Sequence, residues 1–350
     1  MNPRQITSLS GPIAFYYYKL NNRKIVLLSD VHFHGTKCHY DYGVVDWVMD
    51  LSQYDCIDFF VEQSYIKNPI VKITNYATSN TLSNIINRFE PYYINKKYVH
   101  IDNLRYHYID VRSFKLDNGT LYLFTPVNPV NKKLLSNTGY KSNIFNIEKH
   151  IDHLENIVLY LMCLNKKDDY INLINDVNQF ALGKSLFMKN KNKTYNVSSG
   201  LTYDDLMLYM TIYCMIIKKR QLKYQGDLSS FNRCFMKLVI RRCQQLLTGL
   251  DITAITPIRT FAILRELANI PIHYYSLLRM FGHYKDNNRC ENYNKNIIMY
   301  AGHNHTLFIN EFILDYFNTT PEMFIINQTD TKNLTANQCI QFDEPFDYFY

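Results

Sequence analysis

The chain has 350 residues, enough for one large α/β domain or two smaller ones, and 47% hydrophobic with 20% charged residues excludes a disordered chain. A net charge of +7 with no dense Lys/Arg block permits weak contact with polyanions and gives no argument for nucleic acid as a partner. The longest apolar run, Leu206 to Ile217, falls short of the roughly 20 residues that a membrane span needs, so no span is expected.

The aromatic load, 30 Tyr and 21 Phe against one Trp, comes with abundant Asn, Lys and Ile, a bias that A/T-rich coding produces without functional pressure. Eight cysteines (Cys38, Cys56, Cys163, Cys214, Cys234, Cys243, Cys290, Cys339) form no C-x-x-C pair, and several sit inside apolar runs. That pattern predicts buried free thiols. Met1 to Gln5 carries no apolar signal core, so the sequence predicts a cytoplasmic protein without structural disulfides.

Gly11-Pro12 opens a run, Ile13 to Leu20, that reads as a strand, and Asn21-Asn22 supplies a tight turn into a second strand starting at Lys24. The second strand breaks abruptly into Ser29-Asp30-Val31-His32-Phe33-His34-Gly35, as a buried strand does on entering a polar loop. Helical spacing follows around Val44, Val45, Trp47, Val48 and Leu51, and then Asp55 to Ser64 is an apolar run that stops at Glu62. Lys24 to Glu62 therefore reads as strand, helix, strand, the length of one βαβ crossover. Leu82, Ile85, Ile86 and Phe89 mark a helix ended by Pro91, and Leu104 to Arg112 reads as a third strand. Residues 117–143 read as a short strand plus an irregular loop. From there to about His283 the spacing is helical, with Thr256-Pro257 a helix start. A late strand, Asn296 to Tyr300, runs into Gly302-His303-Asn304-His305 and a helix through Phe308, Phe312 and Ile313; the tail from Thr329 reads as packing on the surface. The expected fold is α/β, a mostly parallel sheet flanked by helices, with a large helical insertion between the third and the late strand. Residues 1–143 and 291–350 form its core, and 144–290 the insertion or cap.

Three of these strands end in Asp30/His32/His34, in Glu62 and in Asp110/Arg112, and the fourth ends in His303/His305. Functional side chains of an open parallel sheet gather outside the carboxyl ends of its strands, so parallel neighbours would bring these groups into one cleft. Imidazoles with carboxylates suit Zn²⁺, Mn²⁺ or Fe, which makes Asp30, His32, His34, Glu62, His303 and His305 candidate ligands of a divalent metal that activates water. Without a metal, His32, Glu62, His303 and Asp30 share acid–base work and Arg112 holds an oxyanion or phosphate. Each residue taken singly has a plain structural reading: a histidine capping a strand end, or a salt bridge at a sheet edge. The coincidence of four strand ends favours the cleft. His39 is a further candidate, while His150 and His153, three apart on a helix, read as a solvated face. No Walker loop, G-x-G-x-x-G or G-x-S-x-G occurs.

Asp30-Val31-His32 together with Gly302-His303-Asn304-His305 resembles the first and last motifs of the calcineurin-like metallophosphoesterases. That resemblance implies a two-metal site with Asp30, His32, His303 and His305 among its ligands. Its middle motifs are missing: the second strand ends in Val61-Glu62-Gln63-Ser64 instead of Gly-Asp, and no Gly-Asn-His-Asp/Glu is present. Ser29-Asp30-Val31-His32, Phe60-Val61-Glu62 and Tyr300-Ala301-Gly302-His303, with a helical insertion between, resemble the superfamily of erythromycin-esterase-like, ChaN-like and TraB/TIKI-like proteins. Its strand ends read Gly-Glu-x-His, Glu and Gly-x-Gly-His; here Ser29 and Asp30 replace the first Gly and Glu, and Arg112 is the candidate for its middle arginines. This resemblance accounts for Glu62 and implies a hydrolase of esterase or metalloprotease type, or a haem-iron-binding relative, taking a small-molecule or peptide substrate, with His32 facing His303. Ser10-Gly11-Pro12 with Phe15-Tyr16, and the segment Leu27 to Gly35, also resemble uncharacterised proteins of large DNA viruses. That implies the host cytoplasm or virion as location and adds a non-catalytic structural or host-interaction role as an alternative. No specificity signal identifies the substrate or the oligomeric state.

Overall fold

A computed structural model describes residues 5–31, 38, 42–64, 80–89, 101, 103–110, 113–116, 119–122, 217–247, 257–284, 290, 294–327, 329–330 and 335–349. The chain divides into two compact units, one of residues 1–118, 220–225 and 272–350, the other of 119–219 and 226–271. The sequence pattern predicts divisions at 143/144 and 290/291.

The first unit is α/β and is built on a six-stranded sheet. Its strands are β2 (Ala14–Leu20), β3 (Arg23–Asp30), β4 (Ile57–Ser64), β5 (Leu104–Asp110), β8 (Asn296–Gly302) and β9 (Met323–Ile326), in the order β5-β4-β8-β3-β2-β9. β5, β4, β8 and β3 are mutually parallel; β2 runs antiparallel to both β3 and β9. The β2–β3 hairpin turns at Asn21, whose φ of 52° is the left-handed conformation that a tight hairpin turn demands and that asparagine tolerates. β8 is buried along all seven residues, as expected of a central parallel strand covered on both faces.

Side chains alternate across the sheet and sort its two faces. On one face, Phe15, Tyr17, Val26, Leu28, Phe59, Val61, Ile298 and Tyr300 form a core with helices α1 (Val44–Leu51) and α2 (Asn80–Phe89). The same face receives β12 (Cys339–Phe346), which pairs antiparallel with β1 (Ile6–Ser10). The tail is therefore core rather than surface: Tyr348 is 1% exposed, and its ring meets Trp47 edge-on at 5.9 Å while Phe346 meets Phe15 at 5.1 Å. Alternation of aromatic with acidic residues hid this, because only one side of β12 faces the core. Tyr16, Tyr18, Leu27, Ser29, Phe60 and Met299 point to the opposite face, where helix α5 (His303–Phe317) lies on β3 and β8. Two small strands, β6 (Ser113–Leu116) and β7 (Gly119–Tyr122), follow β5 in the chain, and β10 (Thr329–Asp330) pairs with β11 (Thr335–Ala336).

Described elements of the inserted region are helical, as expected. Helix α3 (Leu228–Leu247) buries Phe231, Phe235, Leu238 and Val239, the i, i+4, i+7, i+8 stripe of an amphipathic helix. Helix α4 (Pro257–Met280) contributes Glu266, which pairs with Arg242 of α3 at 2.6 Å inside the second unit. Residues 272–280 of α4 belong to the first unit. No helix among the described residues is long and apolar enough to cross a membrane.

The cysteine reading is corrected. Cys38 bonds Cys339 and Cys56 bonds Cys290, spanning 301 and 234 residues. The partners are brought together by long-range topology. Cys339 pairs in register with Ser10 at the β1–β12 edge, and Cys56 and Cys290 precede the neighbouring strands β4 and β8. No local spacing announces such pairs. Cross-links closing loops this long restrict the unfolded chain most and stabilise a fold by about 2–5 kcal/mol each. Reduction with a phosphine is accordingly expected to lower the melting temperature by several degrees, and non-reducing peptide mapping to recover the Cys38–Cys339 and Cys56–Cys290 fragments. Unchanged melting on complete reduction would sink the assignment.

Candidate functional site

At the carboxyl end of the sheet, β8 passes into α5 with no loop: Gly302 caps the helix and His303 is its first residue. The Gly302 N–H donates to Glu62 Oε2 at 2.7 Å, so the carboxylate at the end of β4 closes the strand-to-helix junction of its neighbour. A carboxylate is favoured there by the partial positive charge of the helix start. The β4–β5 register shifts between Val61 and Ser64, a bulge of the kind that re-aims side chains at functional edges.

Glu62 Oε1 lies 3.1 Å from His305 Nε2, and His305 Nδ1 lies 2.9 Å from Nε2 of His273 in α4. His273 stacks on Phe308, ring centroids 4.0 Å apart, which fixes its plane. The result is a carboxylate–imidazole–imidazole array whose exposure rises from 1% at His273 through 7% for the His305 side chain to 10% for that of Glu62. With Glu62 ionised, His305 donates from Nε2 and accepts at Nδ1 from the Nε2–H of His273. Each Glu62 oxygen thus accepts one hydrogen bond, Oε1 from His305 and Oε2 from the Gly302 N–H.

Asp30 and Gly302 are register partners at the ends of β3 and β8, yet Asp30 turns to the other face of the sheet, where it is buried and accepts from Gln338 Nε2 at 3.4 Å. It is therefore not grouped with Glu62 and His305. His303 begins α5 and is half-buried; its carbonyl accepts from the Thr306 hydroxyl, which also bonds Ser29. His32, His34, His39 and Arg112 lie outside the described residues. Among the described residues, no group of three or more His, Cys, Asp or Glu side chains is placed to hold a metal ion. Both ring nitrogens of His305 are engaged in hydrogen bonds, so a metal bound to it would have to displace Glu62 or His273.

Sequence reasoning missed His273 entirely, since a histidine in a helical block carries no strand-end signal. It also missed a second polar cluster nearer the amino ends of β4 and β5, on the same face as Glu62. Asp58 receives Arg105 through two bonds, 2.7 and 2.8 Å, and His107 Nε2 at 2.7 Å. His107 Nδ1 accepts from Arg279 at 2.7 Å, and the ring stacks on Phe60 at 4.3 Å. A usable signal existed: polar residues an even number of positions apart inside apolar strands (Asp58 and Glu62 to either side of Phe60, Arg105 and His107 in β5) mark one face of a sheet as non-core.

No family model matches the chain, and no curated protein or solved structure matches it. The family resemblances rest on the strand-end motifs alone.

The His107 protonation state follows from its partners. An arginine cannot accept, so Nδ1 keeps its lone pair and Nε2 carries the proton given to Asp58. Burial, and then the adjacent Arg279 charge, push His107 down to about 4. Burial alone would raise Asp58, but hydrogen bonds from His107 and Arg105 outweigh it and hold the carboxyl below its usual range. An unfolded imidazole titrates near 6.5, so the unfolded chain takes the proton first and stability falls as pH drops from about 6.5 towards 4, by on the order of 3 kcal/mol. Asp58 adds a further loss only below its unfolded value of 3.8. His107→Gln keeps one donor and one acceptor without a titrating ring. It should flatten urea-unfolding stability across pH 4–6.5; an acid limb as steep as in the wild type refutes the assignment.

Proposed function

We propose that the chain is a hydrolase of the esterase or protease kind in which Glu62 is the general base. The observation that carries this reading is the buried Glu62–His305–His273 array at the carboxyl end of a parallel sheet, where such folds place their chemistry. Glu62 is the catalytic residue, the most exposed member of the array, and takes a proton from an attacking water. His305 and His273 are positioning residues. His305 fixes one carboxylate oxygen while the Gly302 N–H fixes the other, and His273 holds the far ring nitrogen of His305. A carboxylate held from both sides is pre-organised, so little reorganisation accompanies proton transfer. Metal dependence stays part of the proposal through His32, His34 and His303, with Glu62 as the carboxylate that would orient or ligate the ion; the ion would supply an activated water. Two disulfides support maturation in an oxidising compartment, which a virion or a secretory route supplies.

The test is turnover of p-nitrophenyl esters, fluorogenic peptides and p-nitrophenyl phosphate by the oxidised full chain, with and without Mn²⁺ or Zn²⁺. Glu62→Gln keeps the size of the side chain and should lower kcat by about two to four orders of magnitude and remove the acid limb of the pH profile. His305→Gln should lower kcat less and shift that limb. Hydrolysis confined to the phosphate ester supports a phosphoesterase instead. Turnover of no substrate, or equal turnover by Glu62→Gln, removes the hydrolase reading in favour of a structural or interaction role.

A further inference from the structure

The cluster at the amino ends of β4 and β5 holds more positive charge than it neutralises. Three guanidiniums and two phenols alternate there, all within the first unit. Arg220 and Arg279 lie over the ring of Tyr275, 5.8 and 5.6 Å from its centroid, and Arg279 and Arg105 lie 5.2 and 5.4 Å from the centroid of Tyr284. Arg279 donates to the Tyr275 hydroxyl at 2.8 Å, and Arg220 bonds the same oxygen. Asp58 spends both oxygens on Arg105, so its charge is matched. Arg220 and Arg279 meet only phenols, an imidazole and each other; among the described residues neither pairs with a carboxylate. The Arg279 Nε is buried and, among the described residues, has no hydrogen-bond partner.

Guanidinium groups do not shed their protons in proteins, and cation–π contact repays only part of the cost of burying two of them side by side. A tetrahedral dianion answers both needs, with two charges for two charges and several acceptor oxygens for two planar forks. We propose that Arg220, Arg279 and the Tyr275 hydroxyl form a receptor for a phosphate-class dianion, either inorganic phosphate or the phosphoryl end of a monoester. The mutual effect of the two arginines agrees: after burial, the Arg279 charge lowers Arg220 below its usual value. The pull of both arginines also lowers Tyr275 despite its burial, as an anion-seeking site would. This receptor does not depend on the hydrolase reading.

The experiment is titration of the disulfide-intact full chain with inorganic phosphate by calorimetry and thermal melting in a phosphate-free buffer. One saturable equivalent is expected, with a rise in melting temperature as phosphate loads the native state, competition by sulfate, and acetate at least tenfold weaker. Arg220→Gln should weaken phosphate at least tenfold without lowering the melting temperature of the phosphate-free protein, and Arg220→Lys should restore part of the affinity. Glu62→Gln should bind phosphate as the wild type does, which separates this site from the proposed hydrolytic one. Absence of saturable binding, or affinity unchanged in Arg220→Gln, overturns the proposal. So does a phenolate absorbance near 295 nm at pH 7 that disappears in Tyr275→Phe, because the tyrosine itself would then be the counter-charge.

Discussion

The seating of β8 between β3 and β4 is the constraint on which the first unit depends. The N-terminal strand–helix–strand segment does not bring its two strands together; it leaves a gap one strand wide, filled by residues 296–302. Every hydrogen bond that joins β3 to β4 across the sheet passes through this late strand. The same insertion carries Gly302 to the end of β4, so that Glu62 meets the N–H of a residue 240 positions away. Pairing of this kind is non-local, and the entropy of closing such loops must be met before the contacts reward it.

Two polar clusters share one face of the sheet and differ in how their charges are settled. Phe60 separates them: Asp58 lies two residues before it and Glu62 two after, roughly 7 Å to either side along the strand. Around Asp58 the protonation states are locked, because a neutral imidazole sits between a guanidinium that only donates and a carboxylate that only accepts. Around Glu62 the order of protons along the array is reversible, since each imidazole can exchange donor and acceptor nitrogens. Fixed charge suits binding, and exchangeable protons suit chemistry. Helix α4 serves both, presenting His273 to one cluster and Arg279, about 9 Å further along its axis, to the other.

Much of the sheet was legible. The hairpin at Asn21, the crossover from Lys24 to Glu62, the strand at Leu104 and the late strand at Asn296 all carry apolar runs bounded by turn residues, and these signals are local. The face on which each strand-end residue falls was less legible. Asp30 and Glu62 end β3 and β4, the two parallel strands that flank β8, in the same chemical style, but strand parity turns Asp30 to Gln338 and Glu62 to His305. One residue of register decides this, and an apolar run does not fix its last residue that closely. The disulfides and the aromatic tail were illegible for a related reason: Cys38 and Cys339, or Trp47 and Tyr348, become neighbours only through the complete topology. His273 and Arg279 sat inside a helical pattern that gives spacing but no destination.

The late arrival of β8 also has a consequence for biosynthesis. At ordinary elongation rates, on the order of tens of seconds separate the emergence of β3 and β4 from that of the strand that joins them. Through that interval the apolar residues Val26, Leu28, Phe59 and Val61 have no central strand to pack beside, and two strand edges stand open to foreign pairing. Cys56 waits equally long for Cys290, and Cys38 longer still for Cys339. In a nascent chain of this design the edges of β3 and β4 face each other across an empty place until β8 is made, so the hazard of foreign pairing falls before the stability of the finished fold can act.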